Sequence, residues 1–86
     1  MSRKVKLLEK LLKSPKDFTW DEAVTLLKGF DFVQISNSGS RRKFFHSQSK
    51  IVICIHKPHP QNVLKKYQIM DVIEGLKNAG VLSNED

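Results

Sequence analysis

Gly39-Ser40-Arg41-Arg42-Lys43-Phe44-Phe45-His46-Ser47-Gln48-Ser49-Lys50-Ile51-Val52-Ile53-Cys54-Ile55-His56-Lys57-Pro58-His59-Pro60 is the stretch whose reading decides the fold. Two short runs rich in aromatic and β-branched residues, 42–46 and 51–55, flank the polar segment 47–50. That pattern predicts a β-hairpin closed by a turn of about four residues. The stretch holds all three histidines of the chain, and its strongest basic run, Arg41-Arg42-Lys43, sits at one end. At the other end the chain leaves through His56-Lys57-Pro58-His59-Pro60.

Upstream, residues 32–36 alternate Phe32, Val33 and Ile35 with Gln34 and Ser36, a third strand joined to the hairpin by the turn cluster Asn37-Ser38-Gly39-Ser40. The three strands should form an antiparallel meander. Before them, Thr19-Trp20-Asp21-Glu22 is a capping-box sequence. It opens a helix over 20–28 that buries Trp20, Val24 and Leu27, and Gly29 is the expected left-handed stop. Residues 2–13 carry Val5, Leu8 and Leu12 at helical spacing, widened by Leu7 and Leu11, with Lys4, Lys6, Lys10 and Lys13 on the other face. Ser14-Pro15 ends that helix, and packing against the domain is its expected role. Downstream of the prolines, residues 66–79 carry Ile69, Val72, Ile73 and Leu76 on one face, closed by Gly80. The tail 83–86 is acidic. The predicted fold class is therefore α+β, in the order α-α-β-β-β-α, a three-stranded antiparallel sheet with helices on one face. Three strands alone bury too little apolar surface, so one face must be covered and the other is left to solvent or a ligand.

Eighty-six residues, 28% charged and 40% hydrophobic, make one globular domain over 1–86, with 1–15 an added N-terminal helix. No apolar run approaches the roughly 20 residues needed to span a bilayer, so no membrane partner is expected. The N-terminus lacks a signal-peptide pattern, and a lone cysteine suits a reducing, cytoplasmic setting. Cys54, inside an apolar strand, is expected to be a buried and inert thiol. The net charge of +6 favours a polyanionic partner, bound in a salt-sensitive way.

Several chemistries are excluded. There is no glycine loop of the phosphate-binding or dinucleotide type. A single cysteine cannot build the usual zinc sets, and His56-Lys57-Pro58-His59 has no carboxylate close by, so neither metal nor cofactor is expected. What remains is phosphate chemistry on RNA by cations and imidazoles. A planar guanidinium suits a phosphate, and an imidazole titrates near neutral pH. The two prolines around His59 fix its local backbone. Read locally, that segment is equally a turn with an idle histidine. For His46, beside the hairpin turn, a solvated structural role is expected. Strand alternation sends Arg41 and Lys43 to one face and Arg42 to the other.

Gly39-Ser40 before a basic strand, the His56-Lys57-Pro58-His59-Pro60 exit and the segment Leu64-Lys65-Lys66-Tyr67-Gln68-Ile69 together resemble the HicA family of toxins from bacterial toxin–antitoxin pairs. The helix with Val72-Ile73, Leu76 and Ala79-Gly80 belongs to the same pattern, which spans roughly residues 18–82. The resemblance implies a double-stranded-RNA-binding-domain-like fold and a toxin ribonuclease that binds and cleaves mRNA without a metal. It also implies neutralisation by a HicB-like antitoxin covering the basic face. In the common family pattern Gly-Ser is followed by the histidine regarded as catalytic; here that place is Arg41, as is common in the branch with the His-x-Pro-His-Pro exit. His59 matches the family's second histidine and is the first candidate for proton transfer, with His56 second. Ser40, Arg41, Arg42, Lys43, Lys57, Lys65 and Lys66 are the candidate RNA-binding residues. The alternative of another class is a non-catalytic RNA- or DNA-binding module of the same fold.

Overall fold

The computed structural model describes residues 3–13, 15–36, 41–58 and 61–82. The order is α1 (Arg3–Leu12), α2 (Trp20–Gly29), β1 (Phe32–Ser36), β2 (Arg41–His46), β3 (Ile51–His56) and α3 (Lys66–Asn78). The strands form one antiparallel meander in the order β1-β2-β3, so the α+β class and all six expected elements stand. The turn cluster 37–40 and the tail 83–86 lie outside the described residues.

The helices cover one face. Phe32, Phe44, Ile53 and Ile55 of the sheet share a core with Trp20, Ala23, Leu26 and Leu27 of α2, Ile69, Val72 and Leu76 of α3, and Leu7 and Leu11 of α1. Trp20 is therefore core, its ring 6.0 Å from that of Phe44. The stretch before α2 is stitched to the stretch before α3. Leu64 N–H donates to the Phe18 carbonyl at 2.8 Å, and Trp20 N–H to the Asn62 carbonyl at 2.9 Å.

Helix α2 begins with the expected capping box: Glu22 N–H donates to Thr19 Oγ1 at 3.1 Å and Thr19 N–H to Glu22 Oε1 at 3.0 Å. Its far end differs from expectation. Gly29 is the last helical residue, and the left-handed position is Asp31, with φ of 72°, a conformation that aspartate tolerates better than most residues. Gly29 is needed for another reason: a Cβ there would lie 2.8 Å from Lys4 Cβ of the crossing α1. At the end of α3, Gly80 does take the left-handed conformation (φ 82°), and Val81 N–H reaches the Leu76 carbonyl at 2.9 Å in a Schellman arrangement.

Helix α1 packs on the domain as expected, but turned about its axis. Leu7 and Leu11 are buried, Val5 and Leu8 only half so, and Leu12 is exposed. Lys4 and Lys10, expected on the outer face, point inward to specific partners. Lys4 Nζ donates to the Gly29 carbonyl at 3.0 Å and lies over the Phe30 ring, while Lys10 Nζ binds the Glu22 carboxylate at 3.0 and 3.1 Å. Long lysine stems can cover apolar surface while their ammonium groups find acceptors, which period alone does not reveal.

His46 and Cys54 have exchanged the expected environments. His46 is only 5% exposed, packed on Phe32, its Nδ1 2.7 Å from Ser49 Oγ in the hairpin turn. Cys54 is exposed. Even-numbered residues of β2 face the helices, so His46 joins Phe44. In β3 the odd-numbered residues do so, which leaves Cys54 outside although Ile53 and Ile55 flank it in sequence.

Two measurements test this packing. Helix α3 crosses β3 at Gly75, where an added Cβ would overlap Ile53 Cγ1 and Cδ1. Gly75→Ala gains about 1 kcal/mol of helix propensity but overpacks a buried site at a cost of about 1–3 kcal/mol, so its urea midpoint should fall. A midpoint that rises would show the helix and strand to be less tightly apposed. Burial raises the pKa of Glu22, but the Thr19 N–H bond, the Lys10 ammonium and the Thr19 hydroxyl together outweigh it and hold the carboxyl below its ordinary value of 4.5. A depressed carboxyl contributes stability above its unfolded pKa that is lost as pH falls through the folded one. Glu22→Gln should therefore be less stable than wild type at pH 7 by about 1 kcal/mol. The gap should narrow in thermal melts below about pH 4.5.

Candidate nucleic-acid interface

The sheet's uncovered face is built by strand alternation, which puts Val33 of β1, Arg41, Lys43 and Phe45 of β2, and Val52, Cys54 and His56 of β3 on one side. Cross-strand register sorts them into rows. Val33, Phe45 and Val52 are direct partners across the three strands. Lys43 stands opposite Cys54, and Arg41 opposite His56. Successive rows are about 7 Å apart, two residues of strand. The face therefore grades from an apolar row near the hairpin turn to a cationic row with an imidazole where the chain leaves the sheet. None of the strand residues named on this face is acidic.

Arg41, Lys43, His56 and Lys57 are all exposed. A pair directly opposite in an antiparallel ladder has its Cβ atoms about 4.5–5.5 Å apart, so the Arg41 guanidinium and the His56 imidazole can serve one phosphate. Arg42 goes to the other face, as alternation requires, and its Nη1 donates to the Arg41 carbonyl at 3.2 Å. It is thus set apart from Arg41 and Lys43. Ser40 and His59, the latter the first candidate for proton transfer, lie outside the described residues.

Lys65 and Lys66 are brought to the same end of the sheet by a residue not singled out in the sequence. Gln68 is 4% exposed, and both ends of its amide are used: Nε2 donates to the His56 carbonyl at 2.8 Å, and Oε1 accepts from Lys65 N–H at 2.9 Å. One side chain thus ties the last residue of β3 to the residue that opens α3. The signal was present as a glutamine three residues after the N-cap Lys65, the reach-back half of a capping box. It was hidden because Lys65 has no side-chain acceptor to make the other half.

Among the described residues no group of three His, Cys, Asp or Glu side chains is placed to hold a metal ion, and no helix is long and apolar enough to cross a membrane. No curated protein and no solved structure matches the chain. One family model does, described as HicA toxin of bacterial toxin-antitoxin, over residues 20–81. The match begins at the first residue of α2, takes in the whole sheet with its exposed Arg41–His56 row, and runs through α3 and its glycine stop, leaving α1 outside. The chain belongs to the HicA toxin family.

Proposed function

We infer that the open sheet face binds single-stranded mRNA and that the protein is a toxin ribonuclease, cutting RNA without a metal and neutralised by a cognate antitoxin. The observation that carries this reading is the Arg41–His56 pair, directly opposed on an exposed face and continued by Lys43 and Lys57. Family membership supports the toxin role and the existence of an antitoxin.

The chemistry needs two proton transfers and a place for negative charge. One imidazole removes the proton of a 2′-hydroxyl, and the oxygen attacks the adjacent phosphorus. The bond from phosphorus to the 5′-oxygen breaks as an imidazolium returns a proton to that leaving oxygen. The products end in a 2′,3′-cyclic phosphate and a 5′-hydroxyl, and no water is consumed. His59 and His56 are the residues assigned to these transfers, with His59 first. Arg41 takes the charge that gathers on the phosphate oxygens, where a fixed guanidinium acts most strongly. Gln68 holds the end of β3, and with it His56, against the start of α3.

A second reading rests on a specific observation: Arg41 stands where the common family pattern has its catalytic histidine. On that reading the same face binds RNA and leaves it intact.

Incubating purified, antitoxin-free protein with labelled single-stranded RNA in EDTA separates the two. Cleavage should be seen for wild type and should fall by about 10²–10⁴-fold in His59→Ala, the usual worth of a positioned acid or base. Intact RNA with retained binding would move the assignment to the non-catalytic module. Salt titration of binding tests the face itself. Each phosphate contact on a single strand adds about −0.7 to the slope of log K against log salt, so Arg41→Gln and Lys43→Gln should each flatten it by that amount. Arg42→Gln, on the other face, should leave the slope unchanged, and an equal effect of all three would refute the facial assignment.

A further inference from the structure

The outer face of α3 has no part in the core or in the chemistry above. Among the phenylalanines, the tryptophan and the tyrosine of the described residues, only Tyr67 is exposed, at 60%. Met70, one turn further along the helix, is 57% exposed. With the half-buried Ile73 these two side chains floor a groove along the helix, and Lys66, Lys77, Asp71 and Glu74 border it. Residues three and four apart are neighbours on a helix surface, so Asp71 stands beside Tyr67 and Glu74 beside Met70. Neither carboxylate is ion-paired among the described residues.

We propose that this groove is a nucleobase subsite that takes a guanine of the bound single-stranded RNA, stacked on the Tyr67 ring with its Watson–Crick edge toward Asp71 and Glu74. The proposal rests on the RNA-binding half of the reading above. It is independent of whether the RNA is cut.

Position, charge and size select this ligand. Gln68, next to Tyr67 in the chain, donates to the His56 carbonyl at 2.8 Å, so the helical turn that carries Tyr67 sits at the end of the sheet where Arg41 and His56 are paired. The exposed Lys57, Lys65 and Lys66 belong to the same junction and give a strand leaving the cationic row further partners for its phosphates. The groove itself differs in kind. Its two lysines and two carboxylates cancel, so it offers no net charge to a phosphate. Bases of single strands are instead recognised by stacking on aromatic side chains and by hydrogen bonds to their edges. An ionised carboxylate only accepts hydrogen bonds. Guanine alone among the four bases presents two adjacent donors on its Watson–Crick edge, N1–H and the exocyclic amino group; each of the others sets an acceptor beside its donor. A protein partner fits less well. Three apolar side chains among four charged ones fall short of the roughly 800 Å² per partner of a standard interface, yet they suit one planar ring.

The test measures the affinity of the full chain for two labelled 2′-O-methyl RNAs of equal length, an oligouridine and a strand with guanine at alternate positions. Neither can be cut through a 2′-hydroxyl. Wild type should bind the guanine strand about 10-fold more tightly, within the usual worth of a bidentate base contact. Tyr67→Ala should lose about 10-fold with that strand, as removal of a stacking ring does, and should leave the slope of log K against log salt unchanged because no phosphate contact is lost. Tyr67→Phe keeps the ring and should bind as wild type does. Asp71→Asn together with Glu74→Gln should bring the two strands to equal affinity. Thermal melts check the fold of each variant. Equal affinity of wild type for both strands, or undiminished binding by Tyr67→Ala, overturns the subsite; if Arg41→Gln still weakens both strands, the RNA reading of the sheet face stands. Binding of neither strand by wild type rejects both. Self-association of wild type that Tyr67→Ala abolishes, with no guanine preference, would name a second copy as occupant and also overturn the subsite. A guanine preference erased by the variants, in a protein that leaves unmodified RNA intact, upholds the subsite and rejects the ribonuclease reading alone.

Discussion

The contact of Ile53 with Gly75 is the constraint on which the rest of the molecule depends. A helix lies this close to a strand only where it presents no side chain, and Gly75 is the one glycine within α3. Setting α3 there turns Ile53 and Ile55 inward and aligns Ile69, Val72 and Leu76 with the core. Because side chains alternate on a strand, the same contact turns Val52, Cys54 and His56 outward. The inner face of β3 and its exposed outer face are thus one geometric decision.

That decision spreads through the ladder. Register places Phe44 against Ile53 and so pairs Lys43 with Cys54 and Arg41 with His56. A slip of one residue would send Arg41 and Lys43 toward the helices and bring Arg42 and Phe44 out. Register is held at the hairpin by the buried His46–Ser49 contact and the Lys50 N–H bond to the His46 carbonyl, and at the other end by Gln68. The buried histidine and the buried glutamine each close one end of the β3 strand. Both are polar groups inside the fold with their hydrogen bonds made, the condition under which burial of such groups specifies geometry without a large cost.

The open face then has two chemically distinct ends on a small surface. Cations and an imidazole collect where the chain leaves the sheet, and aliphatic groups collect near the hairpin turn. Strand alternation and register alone separate the two ends, since each row is fixed by its partners across the ladder.

The six elements were legible in the sequence because each rests on short-range physics: alternation in β1, two β-rich runs on either side of a polar turn for β2 and β3, the Thr19–Glu22 capping box, the proline break after α1 and the left-handed Gly80. Arg42's separation from Arg41 and Lys43 was legible for the same reason, since strand period alone decides it. Other features were decided only by tertiary structure. An apolar run such as Ile51-Val52-Ile53-Cys54-Ile55 looks buried on both sides until the helices are seen to cover one, so Cys54 was expected inside and His46 outside, the reverse of what is found. Lys4 and Lys10 read as solvent-facing until Gly29 and Glu22 are placed beneath them. Gly29 read as a left-handed stop until α1 was found to press on it, leaving Asp31 to take that conformation. Gln68 read as one polar residue of a helix until β3 ended within its reach. In each case the deciding partner is distant in sequence, and local periodicity carries no information about a contact that only the folded chain makes.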